Sequence, residues 1–265
     1  MVEIIQNAPI QIVILAGGLG TRLRPLTEQI PKAMIPILGR PFVDHQLKLL
    51  AHHGIQEVIL SIGYLGHMIE EFVRDGRAWN LKVTYVNEGA HLRGTGGALR
   101  LIYDQGLLRE RFLVTYGDSY LPISYQNIWQ DFGKRTEPAL MTVLRNGEKW
   151  DASNACFDGK NVTLYDKKIK PKPAEMQFID YGLSAFSSAI IGREIPIKKT
   201  LDEKTDLAVL FHQLSVRGQL SGFEVKERFY EIGSLQGIQD LEEYLKEEYL
   251  KEEYLKEEYL KGCAQ

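Results

Sequence analysis

The sequence is short of several things, and each shortage narrows the field. It has only two cysteines, Cys156 and Cys263, far apart and without metal-site spacing. They read as free thiols of a reducing, cytoplasmic protein. No apolar run reaches the ~20 residues that span a bilayer, and no basic region precedes the first apolar stretch, so neither a membrane segment nor a signal peptide is expected. A basic excess is also missing. The formal net charge is −3 with a pI near 6.1, which argues against a nucleic-acid binder. There is no His-Glu-x-x-His and no recognisable serine-histidine-acid motif. The phosphate-binding pattern glycine-x4-glycine-lysine-serine/threonine is absent, and Gly-x-Gly-x-x-Gly fails because Leu23 stands where the last glycine would fall.

What is present starts at residue 10. Residues 10–15 form a β-branched, uncharged run that ends abruptly in glycine, the pattern of a buried strand. Gly17, Gly18 and Gly20 leave the next stretch of backbone bare, so its N–H groups can approach an anion closely. Arg22 follows at once and Lys32 one loop later. A strand, a bare anion cradle and two cations in succession point to a polyphosphate, although glycine-rich turns also occur without any ligand.

Downstream, apolar stripes and runs alternate between helix and strand. A helix is expected from Pro41 to about His53, a strand over 57–62, a helix around Met68–Val73, a strand over 81–86, a helix from near Thr95 and a strand over 112–116. This alternation predicts a parallel sheet covered on both faces, with ligands beyond the carboxyl ends of its strands. From Trp150 the texture changes to short β-like segments, a lysine- and proline-rich loop, and a strand over 178–186 carrying Asp180-Tyr181-Gly182. From residue 242 to 261 the pentad Glu-Glu-Tyr-Leu-Lys repeats. Five residues advance ~140° beyond a full helical turn, so the Tyr-Leu pairs spiral and make no coiled-coil seam. The expectation is a solvated helical tail over 241–265.

The stretch Leu15-Ala16-Gly17-Gly18-Leu19-Gly20-Thr21-Arg22-Leu23-Arg24-Pro25-Leu26-Thr27, continued by Pro31-Lys32, resembles the signature of the sugar-phosphate nucleotidyltransferases. That resemblance implies a Rossmann-like three-layer α/β/α fold with a mostly parallel central sheet. Its nucleotide-binding half covers about 10–145 and its sugar-phosphate half about 146–235. It implies nucleotide contacts at Leu15, Ala16, Gly17, Gly18, Gly20, Thr21, Arg22, Glu88, Gly94 and Thr95, the last two in a second glycine cluster similar to the family's base-recognition loop. Alone, that cluster reads as a tight loop packed closely on a helix.

Asp118 resembles the family's metal-binding aspartate. Glu231, in Tyr230-Glu231-Ile232-Gly233-Ser234, stands where the family has aspartate, so the resemblance implies Mg2+ held by Asp118 and Glu231. The family's Glu-Lys-Pro is shortened here to Asp166-Lys167-Lys168. Lys167 is therefore the implied sugar-phosphate contact, with Lys168 and Lys170 competing for the part, and Asn154, Asp166 and Gly182 complete that side. Arg22, Lys32 and Asp118 carry the chemistry. Its partners are a nucleoside triphosphate and a sugar 1-phosphate. The members it most resembles pair GTP with a heptose or mannose 1-phosphate, or UTP with N-acetylmuramate 1-phosphate. Another acceptor such as phosphocholine, or a non-catalytic nucleotide-sugar binder, remains open.

Overall fold

A computed structural model describes residues 9–89, 91–197 and 203–263, with side chains to residue 251. Cys263 lies outside the described side chains, whereas Cys156 is a buried free thiol.

The first strand, β1 (Gln11–Leu15), leads through the glycine loop to a small hairpin, β2 (Pro36–Ile37) and β3 (Arg40–Pro41). Strand and helix then alternate as α1 (Phe42–His52), β4 (Glu57–Ile62), α2 (Gly66–Val73), β5 (Lys82–Asn87), α3 (Gly94–Asp104) and β6 (Arg111–Tyr116). Next come the two-residue β7 (Ser119–Tyr120), α4 (Tyr125–Gly133), β8 (Ala139–Arg145), β9 (Ala155–Phe157), β10 (Val162–Tyr165) and β11 (Phe178–Ser187). The chain continues with α5 (Ser188–Glu194), α6 (Leu207–Val216), β12 (Leu220–Val225), β13 (Tyr230–Glu231) and α7 (Leu235–Cys263).

Nine strands make one sheet. Its core is parallel, in the order β5-β4-β1-β6. Beyond β6 it becomes mixed: β11 runs antiparallel to β6, β8 and β9, and β12 returns parallel to β8. Strands from both expected halves thus share one sheet. One apolar cluster lies on the α1/α2/α4 side of the sheet and another on the α3/α5/α6 side. The central strands are buried on both faces, which is why they read as continuous apolar runs. Fully burying a Leu or Ile of these strands stabilises the fold by roughly 1.5–3 kcal/mol.

The tail departs from expectation. The 240/241 boundary falls inside α7, a continuous 29-residue helix. Leu241 and Leu245 are buried in a third cluster with Ile35, Ile37 and Ile232. Tyr244 stacks on Tyr230 at 4.6 Å, and Glu242 Oε1 accepts the Leu38 N–H at 3.2 Å. The first repeat is therefore docked. A second contact, Tyr249 OH to His45 Nδ1 at 3.2 Å, extends the docking a turn further.

Candidate active site

β1 ends where the glycine loop begins, so the loop lies at the carboxyl end of the parallel core. Gly117 packs so tightly on this loop that a Cβ there would sit 2.6 Å from that of Ala16, and its N–H donates to Leu15 O at 3.0 Å. Gly20 adopts a left-handed φ of 61°, and its carbonyl accepts from Leu23 N and from the buried Thr27 hydroxyl. The amides of Gly17 and Gly18 have no backbone acceptor among the described residues. These features shape a cleft of about 280 Å³ lined by Leu15, Ala16, Gly17, Gly18 and Gly20 of the loop together with Lys32, Glu88, Gly94, Thr95, Tyr116, Asp118 and Lys204.

Lys32 and Asp118 meet at 2.6 Å, both partly exposed. The turn carrying Asp118 is fixed from below by Gln46 of α1, whose Nε2 donates to the carbonyls of Tyr116 and Ser119 at 2.8 Å each. Sequence reasoning missed Gln46. Its signal was a polar residue on the apolar face formed by Val43, Leu47 and Leu50.

Glu231 reaches Asp118 through a two-stranded ladder in which it pairs with Ser119, while Ile232 N donates to Asp118 O at 3.0 Å. The residue keeps an exposed edge, yet withdrawal of its carboxyl from water, and then the Asp118 charge, push it up to about 7. Two crowded carboxylates with no third acidic or histidine ligand among the described residues suit a magnesium ion that takes its remaining ligands from water and phosphate.

Beyond the cleft, Lys167 extends over the Tyr165 ring at 5.9 Å, and the Asp180 carboxyl is raised by burial and lowered, less strongly, by the Lys167 charge. Lys167, Lys168 and Lys170 are all exposed. Tyr116 lines the cleft. Burial, then the charges of Asp180, Asp206, Asp118 and Glu231, raise its hydroxyl well above the ordinary range. Asp180 was another missed residue, visible as an acid inside an apolar strand.

Several expected residues are placed differently. Arg22 is exposed on a 3-10 turn, Thr21–Leu23, and does not line the cleft. Thr95 lines it, but its hydroxyl donates to Asp206 Oδ1 at 3.1 Å and accepts from Leu207 N at 2.8 Å. The amides of Gly96 and Gly97 are spent on the Thr205 carbonyl, so the second glycine cluster is a close packing site and no anion cradle. Asn154 is buried, and its Oδ1 accepts the Asp180 N–H at 2.9 Å instead of facing a ligand. One oxygen of Asp166 accepts from Lys168 N and Ile169 N, making it a turn residue. Gly182 needs its φ of 102°, and its N–H is taken by Asp180.

Glu88 is buried beside the glycine loop. Its Oε2 accepts Arg93 N at 2.9 Å and its Oε1 lies 3.5 Å from Ser61 Oγ. Burial raises its carboxyl, against the opposing effect of those bonds.

The fold is a mixed α/β sheet with a parallel core and a glycine-lined cleft at the carboxyl ends of its strands. Residues 11–247 match the model of the family described as nucleotidyl transferase, and the chain belongs to that family. It is 46% identical over 196 residues to a mannose-1-phosphate guanylyltransferase of Mycobacterium tuberculosis, covering 72% of this chain and 54% of that protein. It is 26% identical over 223 residues to the bifunctional protein GlmU of Methanococcus maripaludis, covering 83% and 51%. The chain spans about half the length of most of the curated relatives it matches. Among solved structures, HddC from Yersinia pseudotuberculosis complexed with GMP-PN superposes with a TM-score of 0.69 at 25% identity, covering 89% of this chain and 99% of that one. A Bacillus anthracis protein described as a putative glucose-1-phosphate thymidylyltransferase shares the fold, with a TM-score of 0.76 at 20% identity over 89% of this chain and 95% of that chain.

Proposed function

We propose that the chain transfers a nucleoside monophosphate from a nucleoside triphosphate to a sugar 1-phosphate, releasing pyrophosphate. The observation that carries this reading is the cleft at the end of β1, where the Gly17 and Gly18 amides, Lys32 and Asp118 meet, with Glu231 laddered onto the Asp118 turn beside it.

A phosphate monoester has a second pKa of about 6, so the attacking oxygen is ionised at neutral pH and needs no general base. The obstacle is repulsion between two polyanions, and positioned positive charge removes it. The loop amides bind the triphosphate, with Arg22 at its outer edge. Lys32 is held at the α-phosphate end by Asp118. Lys167 holds the incoming sugar phosphate, and Asn154 and Asp166 fix the strand and turn that present it. Gly182 leaves room for the sugar beside Ser119. Mg2+ on Asp118 and Glu231 would neutralise phosphate oxygens in the transition state.

The base we propose is guanine. The buried Glu88 carboxyl lines the cleft beside Gly17 and, when ionised, presents both oxygens as acceptors, matching adjacent N–H donors on guanine's edge. The mannose-1-phosphate guanylyltransferase relative and the GMP-PN complex of HddC support the same choice, with a mannose- or heptose-type acceptor. A matrix of four triphosphates against several sugar 1-phosphates and phosphocholine, read by pyrophosphate release, tests it. GTP with a mannose- or heptose-type phosphate should lead. Tight nucleotide binding without pyrophosphate for any pair would replace the enzyme with a non-catalytic binder.

A further inference from the structure

We propose that Lys204 is a further nucleotide-binding residue, whose ammonium contacts a phosphate oxygen of the bound triphosphate; this rests on the nucleotidyltransferase reading above. The segment 203–206 crosses the N-terminus of α3 as a strap. Thr205 N donates to Arg93 O at 2.9 Å, and Thr205 O accepts from Gly96 N at 2.9 Å and Gly97 N at 3.2 Å. A Cβ on Gly94 would lie 2.6 Å from that carbonyl, so glycine there is what lets the strap approach. The following residue, Asp206, caps α6 by accepting from Ala208 N at 2.9 Å and is tied to the Thr95 hydroxyl. Lys204 therefore extends from backbone pinned on its carboxyl side, and it lines the same cleft as Gly17, Gly18 and Lys32.

Charge pairing decides what it can do. Among the described residues, the cations lining the cleft are Lys32 and Lys204, since Arg22 lies outside it. Lys32 is engaged by Asp118 at 2.6 Å. Lys204 makes no ion pair among the described residues and stays exposed. It is thus the lining cation whose charge no carboxylate among the described residues has claimed. The base end of the cleft already has Glu88 as its polar group, and a lysine point charge suits phosphate oxygens.

The test compares wild type with Lys204→Met and Lys204→Arg, measuring Kd for guanosine, GTP and UTP by calorimetry without sugar phosphate. Because the side chain is exposed, both variants should melt as wild type does. The expected result is about tenfold weaker GTP and UTP binding in Lys204→Met, equal to ~1.4 kcal/mol. Guanosine binding should stay unchanged, and the arginine variant should recover most of the loss. Wild-type triphosphate affinity in Lys204→Met, or an equal loss for guanosine and GTP, overturns the inference while leaving the nucleotidyltransferase reading standing. A wild-type protein that binds no triphosphate overturns both.

Discussion

Gly17→Ala isolates one close approach in the cleft. The backbone at Gly17 is not in the left-handed region, so alanine is conformationally admissible. The added methyl is the whole perturbation. Its carbon would lie 2.3 Å from Glu88 Oε1, 3.3 Å from Glu88 Cδ and 3.6 Å from Gly63 N. Carbon–oxygen contacts relax near ~3.3 Å, so the carboxyl must retreat by about 1 Å. Glu88 is only 9% exposed and anchored to Arg93 N at 2.9 Å, so that retreat gives up the bond. A hydrogen bond to a charged group contributes about 1.5–3 kcal/mol. For a domain of this size that lowers Tm by about 3–12 °C. The same displacement moves the proposed base partner, and a 1 Å error in positioning costs on the order of 10²-fold in rate.

The assay is a double-mutant cycle with Glu88→Ala, read by urea unfolding and by GTP affinity. With the carboxyl gone the methyl meets nothing closer than Gly63, so Gly17→Ala should cost less than ~0.5 kcal/mol in that background. Equal costs in both backgrounds would refute the steric argument.

Two further predictions follow from the ion pairs. Asp118→Asn should lower pyrophosphate release by at least about 10²-fold while the melting temperature stays close to that of wild type; near-normal turnover would remove Asp118 from the centre. Burial alone would raise Asp44, but hydrogen bonds from Arg40 and Lys48, then the Lys48 charge and Trp79, outweigh it and bring it to about 2. The side chain is shielded at 1% exposure while Arg40 and Lys48 are about half exposed, so the stabilisation is discounted to about 1–2 kcal/mol. Because the folded value lies below the unfolded one, this stability is present above pH ~4 and lost as pH falls toward 2. Urea unfolding of wild type and Asp44→Asn should therefore differ most at pH 7, and the difference should shrink steadily below pH ~4 as the folded value near 2 is approached; a difference independent of pH would sink the assignment.

What could be read from the chain is what local chemistry encodes. The parallel core was legible because each strand is an uncharged run and each helix carries its own stripe, as in Val43, Leu47 and Leu50 of α1. Asp118 and Glu231 lie far apart in the chain, and no periodicity connects them; only the motif resemblance put them on one metal. The Thr205 strap was illegible for a deeper reason. It works through a main-chain carbonyl, which every residue has, so its sequence trace is the glycines it packs against, and these show a tight loop without naming the segment that packs on it. Gln46 and Asp180 were legible in principle, as polar residues at apolar positions, but their meaning depends on the turn or lysine that each one meets in the fold.

The repeat carries the same point to its limit, because identical units end in different environments. Tyr244 stacks on Tyr230 and Leu245 is 3% exposed, whereas Tyr249 is 41% and Leu250 66% exposed. No difference in residue identity separates them. Each five-residue step turns the pair ~140° around the helix, so a unit's environment is set by its angular phase relative to the domain. That phase is fixed at the start of α7, where the Gly237 N–H donates to Ser234 Oγ at 3.0 Å and the buried Leu241 seats the first turns. The first pair meets the apolar wall of Ile35, Ile37 and Ile232 and docks, while the next pair, rotated away, leaves its leucine in solvent. Composition decides that this segment is helical; geometry handed on from the preceding turn decides which of its residues hold the domain together.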